Sequence, residues 1–163
     1  FLHDVGSFIS YNNHHLHSYY LIRNYGLPGF SPREILLMAY LARYHRKKPP
    51  RKKTLAVLPL GTGDQGLIRV LSAFLRMAES LDRSHTGLIR HARFLSTSSE
   101  GTLLELTAVG ECQLELSGIE NEADNFRRVF GMPLIPRIIT TDLEEVHETT
   151  GNFPSLLGKT TGR

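Results

Sequence analysis

Histidine and aspartate side chains recur at positions from which they could bind a divalent metal ion. His3 and Asp4 are adjacent near the start of the sequence, His45 lies further along, and Asp82 lies near the middle. Imidazole nitrogens and carboxylate oxygens are suitable ligands for Mg²⁺, Mn²⁺, Fe²⁺ and Zn²⁺. A metal held there would lower the pKa of a bound water and could bind a phosphoryl group. We therefore expect these four residues to converge on one site.

A second group of histidines, His14, His15 and His17, lies between these residues. Neighbouring positions of a helix point in different directions, so only part of this group can face inward. We select His15 as the inward residue, because it shares a helix face with Tyr19 and Ile22 at spacings of four and three.

Basic residues are concentrated in one short segment. Within positions 46–53 six side chains are basic: Arg46, Lys47, Lys48, Arg51, Lys52 and Lys53. Charges this close repel one another, and a polyanion would relieve that repulsion while releasing its own counterions. The net charge of the whole chain is only +3, so this segment is what indicates an anionic partner. A solvated loop without a ligand is the alternative interpretation.

Three arginines at a seven-residue spacing, Arg69, Arg76 and Arg83, predict a basic stripe on one helix. A solvated face with Glu79 as its ionic partner is one interpretation. The other is a ligand site, and for it we retain Arg83 as a candidate phosphate-binding residue.

Helices are expected to position these side chains. Residues 31–34 (SPRE) combine an N-cap serine, a proline in the first turn and a capping-box glutamate, which predicts a helix over 32–46. Its apolar positions recur at three and four residues and place His45 at the end of the apolar face. Proline at positions 49 and 50 stops the helix, so the basic segment is predicted to be an exposed loop.

Three more helical segments are predicted around this one. Residues 1–10 are typical of the end of a helix that Gly6 closes in a left-handed conformation. A second helix is expected from about 13 to 26, and a long one from about 65 to 83.

The long helix is predicted to carry an acid on its inward side. The stripe consists of Ile68, Leu71, Leu75 and Ala78, and four residues further it reaches Asp82. A carboxylate at such a position loses solvation unless an arginine or a metal ion is its partner.

After Gly87 the pattern changes towards alternation, which predicts strands at 88–96, 102–109, 111–117 and 134–140 with a helix from Gly118 to Gly131. The fold class is therefore α+β. We expect an all-helical domain at 1–87, a small β-β-β-α-β module at 88–140 and a flexible tail at 141–163.

The single cysteine, Cys112, excludes an internal disulfide and is expected to be a buried, inert thiol. No apolar run approaches the roughly 20 residues of a membrane span, so we expect a cytoplasmic protein without a membrane partner. Because Phe1 begins within an apolar, helix-like stretch, the sequence is expected to be a fragment.

Four motifs occur in an order typical of one enzyme family. They are 2–6 (LHDVG), 14–18 (HHLHS), 42–47 (ARYHRK) and 75–84 (LRMAESLDRS). Together they resemble the C-terminal region of the exopolyphosphatase and guanosine pentaphosphate phosphohydrolase family. The resemblance extends to about residue 137, because 114–116 (LEL), 123–126 (ADNF) and 129–131 (VFG) also suit the small α+β module of those enzymes.

The resemblance implies an HD-like helical domain with a regulatory, polyphosphate-binding role. In such enzymes an N-terminal pair of actin-like domains binds Mg²⁺ and supplies the catalytic glutamate, and neither domain is in this sequence. The implied partners are inorganic polyphosphate or a phosphorylated guanosine nucleotide, the actin-like domains, and a second copy in a homodimer.

Carried onto this sequence, the HD pattern implies His3, Asp4 and Asp82 as metal ligands. His15 and His45 would contact a second metal ion or phosphate, and the remaining histidine of the pattern would fall before Phe1. The implied polyphosphate-binding residues are Arg46, Lys47, Lys48, Arg51, Lys52 and Arg83. The candidate metal is Mg, Mn, Fe or Zn.

Two other functions stay open at this point. One is an autonomous, metal-dependent HD phosphohydrolase that acts on a nucleotide or another phosphoester. The other is a structural dimerisation module, in which the acids and histidines are satisfied by one another and by nearby arginines.

Overall fold

A computed structural model describes residues 1–141 of the chain. Its first half is helical. A 3-10 helix (Leu2–Phe8) is followed by the helices α1 (His14–Tyr25), α2 (Pro32–Tyr44), α3 (Lys52–Leu55) and α4 (Thr62–Leu81). The second half consists of β1 (Ile89–Thr97), β2 (Thr102–Ala108), α5 (Gln113–Phe130) and β3 (Leu134–Thr140). The predicted α+β class is confirmed.

Helix α2 begins with the predicted capping box. The Ser31 hydroxyl accepts a hydrogen bond from the Glu34 backbone N–H, and the Glu34 carboxylate accepts one from the Ser31 N–H at 2.8 Å. Two backbone donors of the first turn are thereby satisfied. The helix ends with Tyr44, so His45 occupies the C-cap. The basic segment then turns into α3, so Lys52 and Lys53 are helical and the loop is shorter than predicted.

Gly6 has a different role from the predicted helix closure, because it lies inside the 3-10 helix without a positive φ. It is buried where this helix crosses α1, and its N–H donates to the Ser18 hydroxyl at 2.8 Å. A Cβ at this position would lie 2.3 Å from the His14 carbonyl oxygen. Only glycine therefore lets the two segments approach this closely.

The sheet has the order β1-β2-β3, with β1 antiparallel and β3 parallel to the central strand β2. The strands predicted at 88–96, 102–109 and 134–140 are confirmed. Helix α5 connects the two parallel strands and packs against α4.

The strand predicted at 111–117 is wrong, because residues 113–117 form the start of α5. The apolar Leu114 is 59% exposed, whereas Glu115 is buried and accepts a hydrogen bond from the Ser84 N–H at 2.9 Å. The buried positions recur at three and four residues, which is helical spacing: Glu115, Gly118, Ile119, Glu122, Asn125 and Phe126. The alternation of apolar and polar residues at 112–116 therefore does not match the pattern of buried and exposed side chains.

Helix α4 contributes to two cores. Its Met77 packs with Leu104, Ile119 and Phe126 against the sheet and α5. Its Ile68 packs with residues of the other core: Leu37, Tyr40, Tyr44 and Leu55. The helix therefore links the helical half to the α+β half. The domain boundary at residue 87 stays a prediction.

The predicted tail at 141–163 lies outside the described residues, except for Thr141, whose N–H donates to the Ala108 carbonyl. Within residues 1–141 no helix combines the length and the apolar composition that a bilayer crossing requires.

Candidate functional site

Three potential ligand atoms converge where α1, α2 and the 3-10 helix meet. His14 Nε2 lies 3.0 Å from Asp4 Oδ1, and His45 Nε2 lies 3.3 Å from the same oxygen. The two Nε2 atoms are themselves 3.1 Å apart. Both histidines are buried, and their rings stack with centroids 5.1 Å apart.

Backbone carbonyl groups fix the tautomers of both histidines. His14 Nδ1 donates to the Tyr11 carbonyl at 3.0 Å, and His45 Nδ1 donates to the Ala42 carbonyl at 2.7 Å. In a neutral imidazole the other nitrogen then carries a lone pair and no hydrogen. Asp4 Oδ1 is buried and receives no hydrogen bond from the described residues, in agreement with this assignment. Three acceptors therefore face one another, and Arg46 Nη1 lies 3.3 Å from one of them, His14 Nε2.

This arrangement fits a metal ion. Three facing lone pairs repel unless a cation lies between them, and a second hydrogen bond at Nδ1 is typical of a metal-binding histidine. Ligand atoms about 2.0–2.2 Å from one ion, at angles near those of octahedral or tetrahedral sites, lie roughly 2.8–3.6 Å apart. The observed separations of 3.0, 3.1 and 3.3 Å fall within that range.

A second potential ligand group shares His45 with the first and adds His3 and Glu79. His3 Nε2 lies 2.7 Å from Glu79 Oε1 and 3.2 Å from Asp4 Oδ2. The His3 and His45 rings meet edge to face, with centroids 4.9 Å apart. Two adjacent ligand groups with a common histidine therefore line one end of the site.

Charge and burial shift the proton affinities in opposite directions. The hydrogen bond to Glu79 raises the pKa of His3, and the same contact lowers the pKa of Glu79. Burial lowers the pKa of His45, so its neutral form is favoured. A neutral imidazole is the form that binds metal.

Asp4, His14, His45 and Glu79 line a cavity of about 430 Å³, which we call the histidine cavity, whereas His3 lines a neighbouring one. The basic residues of the histidine cavity are Arg46, Lys47, Arg76 and Arg83, and its lining also includes Asp4, Tyr11, His14, His45, Glu79, Ser80, His85 and Glu122. The Arg46 guanidinium lies over the Tyr11 ring, 5.5 Å from its centroid. Lys47 and Arg83 are exposed at the opening. The cavity thus combines cation ligands inside with positive charge at its opening.

Arg76 is held by an ion pair and was not correctly predicted. Its guanidinium donates to both carboxylate oxygens of Glu122, at 2.8 and 2.6 Å, and to the Tyr44 carbonyl at 3.3 Å. Both side chains of the pair are nearly buried. The predicted solvated pairing of this stripe with Glu79 is therefore wrong for Arg76, which instead fixes the end of α2 next to His45.

The histidine cavity, the helical half and the start of α5 all fall within a match to a known family. The family model described as Ppx/GppA phosphatase, domain III, matches residues 1–122 of the 163-residue chain. The chain belongs to the Ppx/GppA phosphatase family. The resemblance found in the sequence motifs is thereby confirmed.

Asp82 does not join the ligand groups of this domain III. Its side chain is 60% exposed, and its contact is with His85 at 3.6 Å. The acid that α4 contributes is Glu79, three residues earlier, which was predicted instead to be the ionic partner of the arginine stripe. The predicted inward stripe was rotated, because Leu71 and Ala78 are exposed while Ser72, Ala73 and Ser80 are buried.

His15 is buried beside the histidine cavity but belongs to neither ligand group. Its Nδ1 has no hydrogen-bond partner among residues 1–141, and burial lowers the pKa of the side chain to about 4. His14 takes the place predicted for His15. The buried residues of α1 are His14, His15, Ser18 and Ile22, so His15 faces inward as predicted, and His14 is buried with it.

The structure distributes the predicted phosphate-binding residues over different surfaces. Arg46, Lys47 and Arg83 line the histidine cavity. Arg51 and Lys52 line a separate cleft next to α5, and Lys48 is exposed and lines neither of the two.

Proposed function

We propose that this chain is the polyphosphate-binding, regulatory part of an exopolyphosphatase-type hydrolase, with the histidine cavity as the binding site. Membership of the Ppx/GppA phosphatase family supports a phosphoanhydride as the ligand. The observation that carries the proposal is the cavity itself, in which Arg46, Lys47 and Arg83 surround the acceptors of Asp4, His14 and His45.

The chemistry of the cavity suits a phosphate chain. Lysine and arginine at the opening would bind phosphate oxygens through charge-assisted hydrogen bonds. Asp4 and Glu79 would repel phosphate unless a cation neutralises them, so the acids favour a metal-bound phosphate over a free one.

The metal ligands we propose are Asp4, His14 and His45, with His3 and Glu79 at the adjacent position. This set replaces the predicted Asp82 and His15. When bound, a divalent ion such as Mg²⁺, Mn²⁺, Fe²⁺ or Zn²⁺ would neutralise phosphate charge and bridge the acids to the ligand. Imidazole donors favour Mn²⁺, Fe²⁺ or Zn²⁺ over Mg²⁺.

In this proposal the chain holds the substrate and does not cleave it. Hydrolysis is assigned to actin-like domains of the kind that the family resemblance implies, with Mg²⁺ bound there. Inorganic polyphosphate is the proposed ligand, and a phosphorylated guanosine nucleotide is the second candidate. Homodimerisation and a cytoplasmic location stay predictions.

Neutralising the opening of the cavity tests the proposal. In a Lys47→Gln/Arg83→Gln variant, which we call the rim variant, we expect the affinity for long-chain inorganic polyphosphate to fall roughly ten-fold, because two charge-assisted contacts are lost. The matched control is Arg90→Gln/Arg127→Gln, which removes the same charge from exposed positions outside the cavity. Calorimetric titration with Mn²⁺ present gives both affinities, and equal affinities would refute the proposal.

The same titrations test the autonomous phosphohydrolase. That alternative requires that the chain alone releases phosphate in the presence of Mn²⁺, Fe²⁺ or Zn²⁺. It also requires that the Asp4→Asn variant no longer releases phosphate. Binding without turnover supports the polyphosphate-holding role.

A further inference from the structure

A second basic surface lies beyond the histidine cavity. It is a cleft of about 270 Å³ between the basic segment, α4 and α5, and we call it the basic cleft. Its charged residues are Arg51, Lys52, Arg69 and Arg128, and its lining contains no acid. Among residues 1–141 none of these four side chains forms a salt bridge. Four uncompensated cations around one cleft indicate a site for an anion.

The cleft is built by the fold and does not depend on the basic segment alone. Arg69 on α4 donates to the backbone carbonyl of Arg128 at 3.1 Å, which holds one guanidinium at the C-terminal end of α5. The Asn125 side chain is buried between the cleft and the cavity and donates to Glu122 at 3.3 Å. The positions of Arg69 and Arg128 are therefore set by two packed helices.

The basic cleft and the histidine cavity are neighbours along the same helices. On α4 the cavity is lined by Arg76 and the cleft by Arg69, seven residues earlier, so the two positions are about 10 Å apart along the axis. On α5 the corresponding residues are Glu122 and Asn125, less than one turn apart. The basic segment runs from Lys47 at the cavity to Lys52 at the cleft.

We infer that the basic cleft is a second anion-binding subsite, which takes the continuation of a linear phosphate chain whose other part lies in the histidine cavity. The inference rests on the proposed function and extends it to a ligand long enough to reach both surfaces. No aromatic residue lines the cleft, so it offers no surface on which nucleic-acid bases could stack. A polyphosphate without bases therefore suits the cleft better than a nucleic acid.

The test compares three double variants with equal loss of charge in the 163-residue chain. They are the rim variant, a cleft variant (Arg69→Gln/Arg128→Gln) and the Arg90→Gln/Arg127→Gln control. For long-chain polyphosphate we expect the cleft variant to bind roughly ten-fold more weakly than the control. Its plot of log affinity against log salt should also be shallower by about 1.5 to 2, because two phosphate contacts are lost.

The outcomes separate the two proposals. If the cleft variant matches the control while the rim variant binds weakly, the second subsite is refuted and the proposed function stands. If both match the control, both proposals fail. A single-stranded RNA of equal charge that binds the wild type more tightly than polyphosphate does, with the same loss in the cleft variant, would overturn the proposed ligand class.

Arg69 also has a packing contact, so a second variant guards against misfolding. Arg128→Glu reverses one charge at an exposed position and leaves the backbone carbonyl that Arg69 contacts. It should weaken polyphosphate binding at least as much as the double variant while its circular dichroism stays that of the wild type. An affinity equal to the wild type would refute the subsite.

Discussion

Two backbone carbonyl groups determine the chemistry of the buried histidines. Because Tyr11 and Ala42 each accept a hydrogen bond from an Nδ1, the Nε2 atoms of His14 and His45 are left as acceptors beside Asp4. At this scale the candidate site is a set of three potential ligand atoms, in an arrangement that a cation would stabilise.

The role of Asp4 is testable against that of Asp82. We expect Asp4→Asn to lower Mn²⁺ or Zn²⁺ affinity at least ten-fold, since it removes the carboxylate shared by two imidazoles. Asp82→Asn should leave the affinity unchanged, because that side chain faces solvent. Calorimetric metal titration of both variants gives the answer, and the reverse order of effects would show that the ligand set is wrong.

His15 makes stability depend on pH. Its pKa is lowered to about 4 in the fold, so the unfolded chain binds the proton more readily. Stability from the neutral side chain is fully present above the usual pKa of about 6.5 and is lost as pH falls towards 4. In His15→Leu we expect this loss to vanish, so that the variant gains on the order of 1–2 kcal/mol relative to wild type between pH 8 and pH 5.

Urea unfolding of both proteins at the two pH values measures this difference. A constant gap between the two curves would contradict a buried, neutral His15.

The sequence predicted the kinds of residue in the candidate site, histidine and acid, better than it predicted which individual residues they are. The motif at 2–6 predicted His3 and Asp4, and the apolar face of α2 predicted His45. All three belong to the potential ligand groups. Glu79 was missed, because the burial of α4 follows small residues such as Ser72 and Ser80 rather than its leucines. A pattern based on hydrophobicity cannot show that two helices approach through small side chains.

At the scale of elements, close contacts between segments hold the site together. Gly6 lets the 3-10 helix lie against α1, and Gly118 of α5 lies against Ser80 of α4, where a Cβ would come within 3.0 Å of the serine Cβ. The contact of Gly6 with α1 places His3 and Asp4 next to His14 of α1 and His45 at the end of α2. Its geometry therefore determines whether the ligand atoms meet.

A methyl group at position 6 should move the 3-10 helix away from α1 and so separate the ligand atoms. We expect Gly6→Ala to lower the free energy of unfolding by about 2 kcal/mol or more, because the Cβ would overlap backbone atoms of α1. Gly66→Ala is the control. No atom lies within 4 Å of its added Cβ, and alanine inside α4 should stabilise by about 0.5–1 kcal/mol. Equal effects in thermal unfolding would contradict the close approach.

Elements with a local signal were predictable from the sequence. The capping box at Ser31 located the start of α2, and alternation located β1 and β2. The start of α5 was not predictable in this way, because Glu115 is buried by its hydrogen bond to the Ser84 backbone, a contact between residues distant in sequence.

At the scale of the molecule, α4 and the Arg76–Glu122 ion pair connect the helical half to the α+β half. The pair also lies between the histidine cavity and the basic cleft, because Glu122 lines the first and accepts a hydrogen bond from Asn125, which lines the second. Basic residues thereby line two neighbouring surfaces, although the net charge is only +3. The sequence indicated the basic segment and the stripe of Arg69, Arg76 and Arg83, but Arg128 joins the surface only through the packing of α5.

The most direct test of the central claim is to map where polyphosphate binds. Diamagnetic Mg²⁺ or Zn²⁺ takes the place of Mn²⁺ in this experiment, because a paramagnetic ion would broaden the NMR signals. We predict that long-chain inorganic polyphosphate shifts the backbone amide signals at 44–47 and 82–85, which border the histidine cavity. The signals of β1, which lies outside the cavity lining, should stay unchanged. Shifts confined to β1 or to the first turns of α2, with none at the cavity, would contradict the account.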